Sequence, residues 1–151
     1  MSDTDDRDDD GMANMPDFGD HVDSVIFSQI LEMDDDEAVR EFSEPLVTNF
    51  FEQATETFGK MDKALTDKEL DTLSSLGHFL KGSSATLGFN KIRDSCQVIQ
   101  QYGHNLNVDG TPETNEEVCL EKISHALEKV KLDTEELEQM MKDFFSPPSE
   151  Q

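Results

Sequence analysis

Residues 66–89 read TDKELDTLSSLGHFLKGSSATLGF. Leu70, Leu73, Leu80, Ser84 and Leu87 fall on one stripe at helical spacing. Thr66, with Glu69 three residues on, has the form of a capping box that opens a helix. Gly88 stands where a left-handed residue closes one. The stretch therefore predicts an amphipathic helix with an N-terminal and a C-terminal signal, and four similar segments surround it.

Upstream, Val22, Ile26 and Ile30 share a stripe, with Phe27 and Leu31 beside it, which predicts a short helix over 22–33 with Asp23 as its cap. The acidic run at residues 34–37 breaks that pattern and can cap the next element. Ser43-Glu44-Pro45 reads as the start of a second helix, preceded by a turn around 38–42. Leu46, Phe50, Ala54 and Phe58 carry it to about Met61. Downstream, Ile92, Cys96, Ile99, Gly103 and Leu106 predict a helix over 90–106. A turn-rich loop at 107–112 follows. A second capping box, Thr114 to Glu117, opens a last helix whose stripe runs from Leu120 through Leu127 and Leu137 to Phe144, before Pro147 and Pro148. Four long helices joined by short connections predict an all-α, antiparallel up-down-up-down four-helix bundle, with the short first helix across one end. Residues 1–20 are expected to form a disordered acidic tail, 21–146 the bundle, and 147–151 a C-terminal tail.

Composition narrows the function. The 151 residues include 35 acidic and 12 basic ones, a net charge of −23. Nucleic acid is not an expected ligand, because phosphate contacts need a basic face. An anionic membrane surface is disfavoured for the same reason. No basic leader followed by an apolar run opens the chain, and no apolar stretch approaches the roughly 20 residues of a membrane span. Two cysteines, Cys96 and Cys119, make no CxxC pair, and Cys96 falls on an apolar stripe as a buried free thiol. A soluble intracellular protein is the expectation.

The chemistry lies within the quoted helix. At 100° per residue, with the buried stripe centred on Leu73, His78 stands about 140° away on the exposed side, Lys81 about 80° away on the same flank, and Gly82 about 180° away. Helical side chains lean toward the N-terminus, so residue 82 would ordinarily cover residue 78. A glycine there leaves the imidazole bare, at about 1 kcal/mol of helix propensity relative to alanine. Imidazole is nucleophilic near neutral pH, and a lysine one turn away can offset negative charge arriving on it. Ser83, Ser84 and Ala85 are small enough for a neighbouring helix to approach closely.

GHFLKGSSATLGF (77–89) resembles the signature of histidine phosphotransfer (HPt) domains, and within them the fungal intermediates of osmosensing phosphorelays. The similarity reaches from the first helix to Gln100. It implies that His78 carries a phosphoryl group, that Lys81 supports transfer, that Gly82 admits the partner, and that Gln100 orients the imidazole. It also implies a docking surface for receiver domains. Ile26, Ile30 and Leu46 would belong to that surface, with Phe79 at its border; the same three residues could equally belong to the core. The implied partners are the receiver domain of a hybrid sensor kinase upstream and the receiver domains of response regulators downstream, in osmotic or oxidative stress signalling. A monomer in cytoplasm and nucleus is expected. No cofactor is expected in this chain, Mg²⁺ being needed only in the receiver. His104 stands where one relative in the family has a basic residue near the site, a departure that leaves the phosphoacceptor unaffected.

No glycine-rich nucleotide loop is present, so the protein is expected to be a stoichiometric phosphocarrier and not a kinase. Two other functions fit a helical bundle. A metal site would need several inward acid–histidine pairs, and only Glu121 with His125 has helical spacing. A non-catalytic adaptor that binds receiver domains would have no use for the histidine, lysine and glycine together.

Overall fold

The computed structural model describes residues 17–36 and 38–146. A 3₁₀ turn, Gly19–His21, precedes five α-helices: α1 (Ser24–Leu31), α2 (Ser43–Thr66), α3 (Leu70–Leu87), α4 (Asn90–Gly103) and α5 (Glu116–Phe145). Helices α2 to α5 pack in a ring, each against the next, and α5 closes back on α2. The result is the expected four-helix bundle, with α1 packed on α3. The predicted stripes form its centre. Ala54, Leu73, Leu80, Ile92, Cys96, Ile99, Ile123, Val130 and Leu137 are all buried.

The end holding α1 is closed by aromatic rings. Phe89, in the turn between α3 and α4, packs against Phe27, Phe50 and Phe51 at centroid distances of 6.1, 5.2 and 5.9 Å. Phe18 and Phe144 meet Phe27 from the other side. Phe18 is buried, so residues 17–20 join the folded unit and the domain begins before residue 21. The rest of the expected acidic tail, and the tail after 146, lie outside the described residues. His21 is buried too, and its Nε2 meets a Glu136 carboxylate oxygen on α5 at 3.0 Å.

Helix boundaries departed from expectation where a signal had two uses. Helix α2 does not stop at Met61 but continues through Thr66, whose hydroxyl donates to the carbonyl of Asp62. The expected capping box at Thr66–Glu69 is therefore absent, and α3 starts at Leu70 with no side-chain cap. Lys68 takes the left-handed conformation (φ 59°) that ends α2. The Lys68 and Glu69 amides then donate to the carbonyls of Leu65 and Ala64, a Schellman closure built on lysine where glycine is usual. Helix α4 ends at Gly103, short of Leu106. Helix α5 is capped by Asn115, which accepts from the Glu117 amide, rather than by Thr114. Asp23 caps α1 as expected, and Gly88 (φ 79°) ends α3.

Helix α2 has Phe42 at its N-cap, and its side-chain cap comes from the acidic run. Buried Asp34 accepts from the backbone N–H groups of Phe42 and Ser43, both at 2.8 Å, and from the Ser43 hydroxyl at 2.6 Å, with Arg40 at 3.4 Å. Burial pushes the Asp34 carboxyl up. The donors from Ser43, Phe42 and Arg40 outweigh it and hold the group below its ordinary value. A carboxylate with a depressed folded pKa stabilises the fold above its unfolded pKa of about 3.9, and that stability is lost as pH falls through the folded value. Asp34→Ala should cost about 2–4 kcal/mol at pH 7, because it strands a hydroxyl and two N–H groups at a helix start. Urea melts of both proteins check this: the gap should narrow below about pH 4.

Candidate functional site

Helices α3 and α4 approach closely because two glycines face the opposite backbone. A Cβ on Gly77 would lie 2.9 Å from the Cys96 carbonyl oxygen, and one on Gly103 would lie 2.7 Å from the Ser74 backbone nitrogen. The close approach therefore rests on Gly77 and Gly103, not on the serine–alanine run at 83–85. Buried Ser84 turns its hydroxyl back to the Leu80 and Lys81 carbonyls.

Across this narrow seam, side chains pair in three rungs. Ser74 Oγ and His104 Nε2 lie 2.8 Å apart. Gln100 Nε2 donates to His78 Nδ1 at 3.2 Å. Lys81 Nζ donates to Gln97 Oε1 at 2.9 Å. A step of four then three residues along α3 is matched by four then three in reverse along α4, so the antiparallel register sets all three contacts together. The expected site residues His78, Lys81 and Gln100 all lie in this seam, and Gln97 and Ser74, which the sequence does not single out, join them. The signal for Gln97 was there: it lies one turn before Gln100, as Lys81 lies one turn after His78.

His78 is exposed, as the helical wheel predicted. Its Nδ1 is engaged, whereas Nε2 has no partner among the described residues. The Oε1 of Gln100 is buried without a partner. His104 has its Nε2 taken by Ser74, one turn from His78.

Gly82 is exposed, and a Cβ there would meet nothing within 4 Å. The fold itself has no need of this glycine. Gly82→Ala should raise stability by about 0.5–1 kcal/mol through helix propensity, read as a higher melting temperature. The same change should slow any reaction in which a second protein covers His78.

The four residues of the expected docking surface separate. Phe79 is 48% exposed beside His78. Ile26 and Leu46 are half-buried against the core edge. Ile30 is buried, because the short α1 turns Phe27, Ile30 and Leu31 inward together, and it belongs to the core. Burial pushes the Cys96 thiol up to about 12, as befits an unreactive core residue. Among the described residues, no group of three His, Cys, Asp or Glu side chains could hold a metal ion, and no helix is long and apolar enough to cross a membrane.

Comparison with known proteins adds independent findings. Residues 45–144 match the family described as Hpt domain. The chain is 50% identical over 110 residues to multistep phosphorelay regulator 1 of Schizosaccharomyces pombe, a match covering 72% of this chain and 37% of that protein. It is 52% identical over 88 residues to the phosphorelay intermediate protein YPD1 of Candida albicans, covering 58% of this chain and 47% of that protein. The chain thus spans less than half the length of these relatives. Its fold is similar to Ypd1 of Saccharomyces cerevisiae, crystallised with the receiver domain of its downstream response regulator Ssk1. The TM-score is 0.72 at 28% identity, covering 83% of this chain and 94% of that one.

Proposed function

The chain belongs to the Hpt-domain family, and from that premise we propose that it is a histidine phosphotransfer intermediate of a multistep phosphorelay. It accepts a phosphoryl group on His78 from the receiver domain of a hybrid histidine kinase and passes it to the aspartate of a response regulator. The observation that carries this reading is the state of His78: exposed, tethered at Nδ1 by Gln100, and open at Nε2.

The tether chooses the reacting atom. Nε2 can attack only when the ring proton sits on Nδ1. As placed, the Gln100 amide nitrogen faces the ring, which suits the other tautomer. A half-turn of the amide brings Oε1, otherwise without a partner, to accept from Nδ1–H. The Nε2 lone pair then attacks the phosphorus of an aspartyl phosphate. The N–P bond forms, the P–O bond to the aspartate breaks, and the aspartate leaves as carboxylate. Positive charge developing on the ring is held at Nδ1 by the amide oxygen. Lys81 offers ammonium hydrogens to the transferring group. The reverse sequence delivers the group onward, because the phosphoramidate and the acyl phosphate are both high-energy.

Gly82 leaves room above the imidazole, and exposed Phe79 with the half-buried Ile26 and Leu46 offers an apolar rim to a receiver. The Ssk1 receiver seated on yeast Ypd1 supports that kind of partner. Any Mg²⁺ would belong to the receiver. The protein acts stoichiometrically, without ATP, as a monomer in cytoplasm and nucleus. Radiolabel transfer from a phosphorylated receiver domain tests the reading. Label should reach this protein within the receiver's own dephosphorylation time, and no label from several receivers would overturn it.

A further inference from the structure

We propose that Gln97 is a positioning residue for phosphoryl transfer: it holds the Lys81 ammonium one turn from His78 through a neutral acceptor, and so leaves its charge free for the phosphoryl group. The inference rests on the phosphocarrier reading above and deepens it.

Lys81 is half-buried, and a lysine side chain has four rotatable carbons to immobilise before its ammonium has a defined place. Its hydrogen-bond partner is Gln97 Oε1 at 2.9 Å. The chain is strongly acidic, and most of its described lysines and arginines sit against a carboxylate, as Lys129 does with Asp133 and Lys131 with Asp62. No carboxylate among the described residues pairs with Lys81. The choice of acceptor matters because an ammonium has three donors. An amide oxygen occupies one of them and adds no net charge. A carboxylate at the same point would neutralise the ammonium and repel the incoming phosphoryl oxygens across a short distance.

Geometry ties the device to the site. Gln97 and Gln100 leave α4 one turn apart and reach Lys81 and His78, which leave α3 one turn apart. One helix thus sets the imidazole and the ammonium in a common frame before a receiver arrives, so less positioning remains for the encounter.

The test is single-turnover transfer from a phosphorylated receiver domain at rising receiver concentration, which reads maximal rate and half-saturating concentration separately. Gln97→Ala should lower the maximal rate about 5-fold, the equivalent of one ordinary hydrogen bond, and leave half-saturation unchanged. Gln97→Glu should lower it further. Combined with Lys81→Ala, the Gln97→Ala change should cost nothing more, since its effect passes through the lysine. An equal loss with and without Lys81 would overturn the proposal, as would a change confined to half-saturation, which would mark Gln97 as a docking contact. A lower melting temperature with an unchanged rate would reduce it to a structural residue and also overturn it. If the wild-type protein takes no label, the phosphocarrier reading itself fails, and that is seen before any variant is compared.

Discussion

His78→Gln should carry no label after incubation with a phosphorylated receiver domain, while the wild-type protein becomes labelled under the same conditions. Glutamine keeps a polar side chain of similar length but has no nucleophilic nitrogen, because its amide lone pair is delocalised into the carbonyl. The loss should be complete to background. The change should also leave the fold alone. His78 is exposed and makes one side-chain hydrogen bond, so stability should move by no more than about 0.5 kcal/mol. A coincident thermal melt beside an absent label separates chemistry from unfolding. Label on the wild type should be acid-labile and alkali-stable, as a phosphohistidine is. Label surviving in His78→Gln would point to another histidine. His104 is the nearest along the seam, although Ser74 already occupies its Nε2.

Gly103→Ala should destabilise the bundle by about 2–3 kcal/mol, the upper part of the range for overpacking a tight contact. A Cβ there would lie 2.7–2.8 Å from Ser74 Cβ, N and Cα. Two of those atoms are backbone, so no rotamer change relieves the clash and α3 must move from α4. At roughly 4 °C per kcal/mol for a domain of this size, the melting temperature should fall by about 8 °C or more. The effect should not stop at stability. Ser74 also holds His104, and the next rung is Gln100 to His78, so the displaced seam loosens the imidazole and slows transfer. The comparison with Gly82→Ala is the control. Both glycines are helical and gain propensity from alanine, yet one faces a backbone and the other open space, so the two changes should move the melting temperature in opposite directions. If both raise it, the close approach of α3 and α4 is not what Gly103 provides.

Much of this was legible in the residues. Stripes of leucine, isoleucine and phenylalanine at helical spacing located every helix, because burying one face is what makes such a segment helical in a protein. His78, Lys81 and Gly82 could be placed on the open flank of α3 by rotation alone, since a helix fixes angles between neighbours within itself. Resemblance supplied Gln100. Helix ends were less legible. Thr66–Glu69 has the letters of a start signal, yet α2 runs through Thr66 and Lys68 bends left-handed beyond it. A local signal competes with a helix already under way, and packing decides between them. The acidic run at 34–37 was legible as a cap for the next helix, but that Asp34 is the member of it that reaches the Phe42 amide eight residues on is decided by packing.

The sequence by itself therefore determined the helices, the bundle class and which side chains of α3 face outward, because these follow from periodicity and charge along one chain segment. Resemblance apart, only the tertiary structure decided the register of α4 on α3, which realises the expected Gln100–His78 contact and adds that Gln97 meets Lys81 and His104 meets Ser74. Register depends on how closely two helices approach. That distance is set by Gly77 and Gly103, each against the opposite helix, and a contact between the faces of two separate helices leaves no period in the sequence to read.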